Sequence, residues 1–390
     1  MKKITFFLFG LVFVFSGYYG QAQDTEKKVN RFKPTVKING RIQYDFEFMK
    51  YENADEWFNG NEFRRLHLSA AGNISKNIKY KVETSFAHAS IGFRDVYIKY
   101  SAGKAGNFYF GSVAEPTGLN TATSSKYITF FERSMLTSMQ NFRWGAGFHY
   151  SNFHLLDGKM GLQLALTNNG KHSEGFKDSN LEDGMNFIGR LTGTVINDKE
   201  KHQVVHLGVN FDSRPYKDLK FRPENHMGAK YHYVFDGADA RSAIGAELGT
   251  TFGPISVQGE YKVQSYTGDD LNADYQMSSF YVFGSYFLTG EYRPYKHGGF
   301  GRVKPNNPLD NGGLGALELA VRYSSMGASD DVLAVTNNAG LPETINNIAI
   351  ALNWYPTAHT RFMYNYVITD DGNSTTGKLG AHLIRFAIDF

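Results

Sequence analysis

Residues 40–48 read GRIQYDFEF, and the stretch alternates with a period of two. Ile42, Tyr44, Phe46 and Phe48 fall on one face of an extended chain, and Arg41, Gln43, Asp45 and Glu47 on the other. The same split recurs along the sequence. Tyr80, Val82, Thr84 and Phe86 oppose Lys79, Lys81, Glu83 and Ser85; Val205, Leu207, Val209 and Phe211 oppose His206, Gly208 and Asn210. Leu317, Leu319, Val321 and Tyr323 oppose Glu318, Arg322 and Ser324, and Phe362, Tyr364, Tyr366 and Ile368 oppose Arg361 and Asn365. A soluble sandwich alternates in the same way, but its strands average about five or six residues. Here the segments mostly run for nine to twelve, the length a tilted strand needs to cross a bilayer. Aromatic residues gather towards segment ends, as at Tyr97 and Tyr100 or Trp354 and Tyr355, which suits interfacial girdles.

Composition narrows the alternatives. The 390 residues include no cysteine, 15% aromatics and 42% hydrophobic residues. The absence of thiols excludes a disulfide scaffold and thiolate metal sites. A formal charge of +3 excludes a bulk electrostatic case for a nucleic-acid partner. Residues 1–22 read as a secretory signal peptide: Lys2 and Lys3, then the apolar run Ile4 to Phe15, then Gly20-Gln21-Ala22 as a small-x-small cleavage site. No later run approaches the roughly 20 apolar residues of a spanning helix. The expectation is an exported chain with a tether at 23–34 and a transmembrane antiparallel β-barrel at 35–390, since closed barrels are the other fold that satisfies every backbone group in lipid.

Seventeen segments carry the pattern: 36–48, 63–72, 77–88, 93–101, 106–112, 143–151, 158–168, 185–196, 203–211, 227–235, 242–252, 255–265, 278–289, 314–324, 346–355, 359–368 and 379–390. Single-chain bacterial barrels use an even number. Counting from both ends singles out 227–235 (MGAKYHYVF) as part of a long extracellular excursion, which leaves sixteen strands. Short links such as Gly253-Pro254 and Pro356 to Ala358 then lie on the periplasmic side, together with the long link 290–313. The stretch 113–142 lacks clean alternation and is too long for an ordinary connection. It is expected to fold into the lumen as a constriction loop.

Several fragments, in order, resemble landmarks of the phosphate-selective porin O and P family: FRRLHLSAAGNISKNIKYKVE, GLNTATSSKYITFFERS, HLGVNF, GPISVQGEY, YFLTGEYRPYK, GRVKP, GALELAVRYS and LNWYPTAHTRFMYNYV. The end, Ile384, Phe386, Ile388 and Phe390 at alternate positions, resembles the signal read by the barrel-assembly machinery. The resemblance implies an outer-membrane channel of a Gram-negative bacterium, a sixteen-stranded homotrimer that passes phosphate, other oxyanions and chloride through an arginine-lined constriction. It assigns Arg41 and the pair Arg64-Arg65 to that constriction, Ser124 and Ser125 to loop hydroxyls beside the anion, Lys220 and Arg222 to an extracellular basic path, and Lys79 to the periplasmic side. Two positions depart from the family pattern: Thr121 stands where characterised members have a lysine, and Arg94 where they have an aspartate. Arg214 and Lys217 are basic neighbours without a counterpart.

Arginine suits this work because its planar donors replace lost hydration and stay charged at ordinary pH. Adjacent Arg64 and Arg65 conflict with the strand period, so both face the lumen only if the strand is bulged or Arg64 belongs to a loop. The alternatives are a general porin, whose arginines set a field opposite Asp45, Glu47 and Glu132, a rim hydrolase using His88, His149 or His172, and an exported adhesion protein. No catalytic motif, cofactor or metal-ligand spacing is present, so no enzyme activity and no cofactor is expected. The acidic runs TGDDLNAD and TDDGNS read as exposed turns, with cation-bridged lipopolysaccharide as their other possible use.

Overall fold

A computed structural model describes residues 32–87, 90–140, 142–168, 184–269, 271 and 274–390. The signal peptide, most of the tether, His88 and His172 lie outside these residues. The described strands are β1 (Lys37–Tyr51), β2 (Phe58–Asn73), β3 (Ile78–Ser85), β4 (Gly92–Ser101), β5 (Asn107–Ala114), β6 (Trp144–Leu155), β7 (Met160–Asn168), β8 (Met185–Asp198), β9 (Gln203–Pro215) and β10 (Leu219–Phe221). The second half holds β11 (Tyr231–Tyr233), β12 (Ala240–Phe252), β13 (Ile255–Thr267), β14 (Gln276–Phe287), β15 (Tyr295–Lys296), β16 (Gly299–Phe300), β17 (Ala316–Ala328), β18 (Thr344–Tyr355), β19 (Thr360–Asp370) and β20 (Leu379–Asp389).

Sixteen of these close into one antiparallel barrel, with β10 and β11 forming one small separate sheet and β15 and β16 another. The sixteen wall strands coincide with sixteen of the predicted segments. The segment set aside, 227–235, contributes only β11, paired with β10 outside the wall. The seam joins β1 to β20, from Arg41 opposite Asp389 to Tyr51 opposite Leu379. At its end Gly40 and Phe390 exchange backbone hydrogen bonds of 3.0 and 3.2 Å, and the Phe390 ring lies where a side chain at Gly40 would project.

The two faces of the wall have opposite chemistry. Ile348, Ile350 and Leu352 are exposed on the outside, while Asn347, Ala349, Ala351 and Asn353 between them are fully covered. In β1 the covered residues are Gln43, Asp45, Glu47 and Met49, so the charged stripe of the opening sequence faces inward. An inward charge requires a partner. Asp45 receives Arg385 through two bonds of 2.7 and 2.6 Å, and Glu247 receives Arg190 at 2.6 Å.

The described ladder has four register shifts, at Gln43/Tyr44, Val82/Thr84, Asn152/Leu155 and Thr194/Ile196, and the first two are bulges in the charged strands β1 to β4. Gln43 pairs with Arg65 and Tyr44 with Phe63, which leaves Arg64 as an extra residue in β2. Val82 pairs with Val96 and Thr84 with Phe93, so Glu83 faces both Arg94 and Asp95. Each bulge lets two consecutive residues leave the strict alternation.

Three long connections bond to the covered face. Residues 115–143 contain the short helices α1 (Leu119–Ala122) and α2 (Met135–Met139). Their carbonyls and amides meet wall side chains: Arg361 donates to Ile128 O at 2.6 Å, Asn353 to Thr129 O at 2.8 Å, and Arg385 to Phe131 O at 2.5 Å. The Phe131 amide donates to Asn365 at 2.7 Å, and the Leu119 and Asn120 amides donate to Glu260 at 2.9 and 2.7 Å. The connection from β9 to β12 bonds to β1, where the His226 and Met227 amides each donate to Glu47 at 3.0 Å. The connection from β14 to β17 offers Gly298 O to Arg190 at 2.7 Å.

Ile350 sits at mid-strand on the outer face. Ile350→Lys should cost about 2–4 kcal/mol in lipid, read as a lower urea midpoint for unfolding from vesicles. An unchanged midpoint would show that this face does not meet hydrocarbon.

Candidate anion site

A cavity of about 720 Å3 lies among β1 to β4, the 115–143 connection and residues 220–226. Nine basic side chains line it: Arg41, Arg64, Arg65, Lys81, Arg94, Lys126, Arg133, Lys220 and Arg222. Only four carboxylates do so: Glu83, Asp95, Glu132 and Glu224. The lining therefore carries a cation excess.

The pairing within it is uneven. Arg64 grips Glu132 with two bonds, Nε to Oε1 at 2.9 Å and Nη2 to Oε2 at 3.1 Å. Arg65, almost fully buried, donates to Gln43 Oε1 at 2.9 Å and to Glu132 Oε2 at 3.3 Å. Arg41 donates to Ser125 Oγ at 2.5 Å and reaches Glu83 at 3.3 Å. Lys81 is shared by Glu83 at 2.5 Å and Asp95 at 2.7 Å. By contrast, the Arg94 guanidinium lies over the Trp144 ring, 4.3 Å from its centre, and its buried Nε has no hydrogen-bond partner. The neighbouring Asp95 accepts from Trp144 Nε1 at 2.9 Å and so holds that ring. Arg133 donates to the carbonyls of Asn120 and Thr123, at 2.9 and 2.8 Å, and bonds to no carboxylate among the described residues.

Electrostatics follow from this crowding. Burial, opposed by Glu132 but reinforced by repulsion from Arg41, Arg64 and Arg94, pushes Arg133 down to about 10. It therefore stays cationic at neutral pH. Burial alone would raise the Glu132 carboxyl, but Arg64, Arg65 and Arg385 outweigh it and hold the group well below the usual carboxylate range.

Most of the residues singled out in the sequence converge here. Arg41, Arg64, Arg65, Ser124, Ser125, Lys220 and Arg222 all line the cavity, as does Thr121. Lys79 does not. It is exposed near the end of β3, opposite Lys99, two residues before the lining Lys81. Arg214 is buried elsewhere, between Glu115 at 2.6 Å and Asp212 at 3.0 Å. Lys81, Lys126 and Arg133 were not singled out. Arg133 stands in the quoted TFFERS fragment, and Lys81 continues the period from Lys79, so both had a sequence signal.

The remaining candidates have ordinary partners. His149 is buried, with Nε2 2.9 Å from Gly145 O. In TDDGNS, Asp370 and Asp371 bond to the Gly372 and Asn373 amides at 3.1 Å, as turn residues do. The TGDDLNAD run is only partly within the described residues. Carboxylates of Asp45, Glu47 and Glu62 lie within 4.8 Å of one another, yet Asp45 holds Arg385, Glu47 holds two amides, and Glu62 holds His226 at 2.5 Å.

Residues 36–388 match the family described as phosphate-selective porin O and P. Porin O of Pseudomonas aeruginosa is 28% identical over 386 residues, covering 85% of this chain and 82% of that protein. Among solved structures, an anion-selective porin from Comamonas acidovorans superposes with a TM-score of 0.57 at 11% identity, covering 92% of this chain and all of that one. The trimer form of OmpT from Vibrio cholerae gives 0.56 at 13% identity, covering 92% and 99%. Closed barrel, cation-rich cavity and family match agree: the chain belongs to the phosphate-selective porin O and P family and is a Gram-negative outer-membrane anion porin.

Proposed function

We propose that anions cross the outer membrane through the arginine-lined cavity, narrowed by the 115–143 connection, and that Arg94 and Arg133 take the largest share of capture. The observation that carries this reading is the uneven pairing: the lining has more cations than carboxylates, and among the described residues these two guanidiniums, like Arg222, which bonds to Gly228 O, are paired with no acid. Arg65 is more committed, to Gln43 and Glu132, and acts more as a holder of the site than as a first contact. Arg41, Ser124 and Ser125 supply further donors and Lys220 and Arg222 draw ions from the extracellular side, while Lys79, exposed on β3 outside the cavity, receives them on the periplasmic side.

A phosphate or related oxyanion that sheds water here meets charged donors in its place. A unit-charge pair at about 4 Å is worth up to roughly 4 kcal/mol at an effective dielectric near 20, so two arginines whose charge no carboxylate cancels suffice for capture. Arg94 adds a positive charge where characterised family members have a negative one, which favours multiply charged anions. The chain acts as a channel rather than an enzyme, and as a homotrimer, as in the trimer form of OmpT. Lipopolysaccharide contacts at the rim and assembly through Phe390 complete the expected partners. A general porin remains the second reading, but of its supposed field residues, Asp45 and Glu132 are bonded directly to arginines and Glu47 to the His226 and Met227 amides, rather than set across a gap.

In bilayers with a salt gradient, reversal potentials should show anion preference; cation preference would remove the reading. Arg94→Ala should raise the phosphate concentration that half-blocks chloride current by about tenfold, equivalent to about 1.4 kcal/mol, and Arg65→Ala by less. Equal effects would place capture elsewhere. Because arginine and the ionised Glu132 set the charge, the preference should stay constant from about pH 5 to pH 8. A fall in this window would show that another group sets the charge.

A further inference from the structure

Glu132 is unusual among the lining groups because three guanidiniums from the wall meet on one carboxylate carried by a connection. Arg64 contributes two bonds, Arg65 one at 3.3 Å and Arg385 one at 3.0 Å. All four approach the carboxylate oxygens as donors would approach an oxyanion. The backbone around it is fixed independently, since Arg322 donates to Glu132 O at 3.0 Å and Asn365 accepts from the Phe131 amide at 2.7 Å. The carboxylate is thus tethered through a fixed backbone, facing the cavity with 11% of its side chain exposed.

We infer that Glu132 is a built-in counter-anion that sets the channel's anion affinity. The inference rests on the reading that anions pass this cavity. An arriving oxyanion competes with the carboxylate for Arg64 and Arg65, and the tethered group returns to expel it. A tethered competitor acts at a high effective concentration. Without it, three arginines would face a single ion, and strong binding would slow release and throughput. The carboxylate therefore trades affinity for speed, and it is a specificity-determining residue because multiply charged anions displace it more readily than chloride.

The test compares wild type with Glu132→Gln in planar bilayers, using potassium chloride alone and then inorganic phosphate as blocker. Glu132→Gln should half-saturate at a chloride concentration about tenfold lower and be half-blocked by correspondingly less phosphate. Its conductance at high salt should fall. Half-saturation equal to or above wild type, in a wild type that prefers anions, overturns the inference alone. Cation preference in wild type overturns both the inference and the reading beneath it. Folding is checked by heat-modifiable electrophoretic mobility. Should the single variant fail to fold, Arg64→Gln with Glu132→Gln, which balances the lost charge, is compared with Arg64→Gln. Tighter binding by the double variant supports the inference, and equal or weaker binding overturns it.

Discussion

Hydrocarbon offers no hydrogen bonds, so every peptide group in the wall must find its partner in the next strand. The closed ladder from β1 round to β20 satisfies that condition, and it determines where charge can go. With alternate side chains facing lipid, each ionic residue in a wall strand has only the inside available. Arg385, Arg190, Arg322, Asp45 and Glu247 are accordingly covered and paired. In the cavity, as at Arg361 of β19, this internal pairing is left incomplete.

The bulges explain how it becomes incomplete. A regular strand contributes one inward side chain for every two residues, which limits the density of cations along β2 and β4. The extra residue at Arg64 and the two-against-one arrangement at Arg94 and Asp95 raise that density locally. Both bulges lie in neighbouring hairpins and line one cavity. Asp95 does not cancel the added arginine, because it is bonded to Trp144 and Lys81. It holds the aromatic ring on which Arg94 rests, and the guanidinium keeps its donors.

Most of the fold was legible in the sequence because lipid enforces a strict period, and a strict period can be counted. Parity identified 227–235 as outside the wall even though its alternation imitates a strand. The reason is physical, since Tyr231–Tyr233 does alternate, but in a two-stranded sheet of the β9 to β12 connection. The site was legible through family resemblance at Arg41, Ser124, Ser125, Lys220 and Arg222, and through the residue pattern itself only where the period failed. Adjacent Arg64 and Arg65 announced a bulge, and adjacent Arg94 and Asp95 carried the same signal, although it was noted only as a departure from a family pattern. Of Arg133, Lys126 and Glu132 only Arg133 had a sequence signal, its place in the TFFERS fragment, and the pairing of none of them was legible. They lie on a connection without periodicity, and their positions come from bonds to Asn353, Arg361, Asn365 and Arg385, residues more than two hundred positions away.

That long-range anchoring also accounts for how one connection holds both free and bound charge. The carbonyls of Ile128, Thr129 and Phe131 are tied to β18, β19 and β20, which fixes the chain immediately before Glu132 and Arg133. Consecutive residues then point to different partners, Glu132 towards the wall arginines and Arg133 back to the carbonyls at Asn120 and Thr123. A freely moving connection would let these two opposite charges neutralise each other or pair with whichever wall group came near. Here Arg133 uses its donors on neutral carbonyls, which satisfy hydrogen bonds without cancelling charge. Rigidity of the backbone is therefore what preserves the positive field of the cavity.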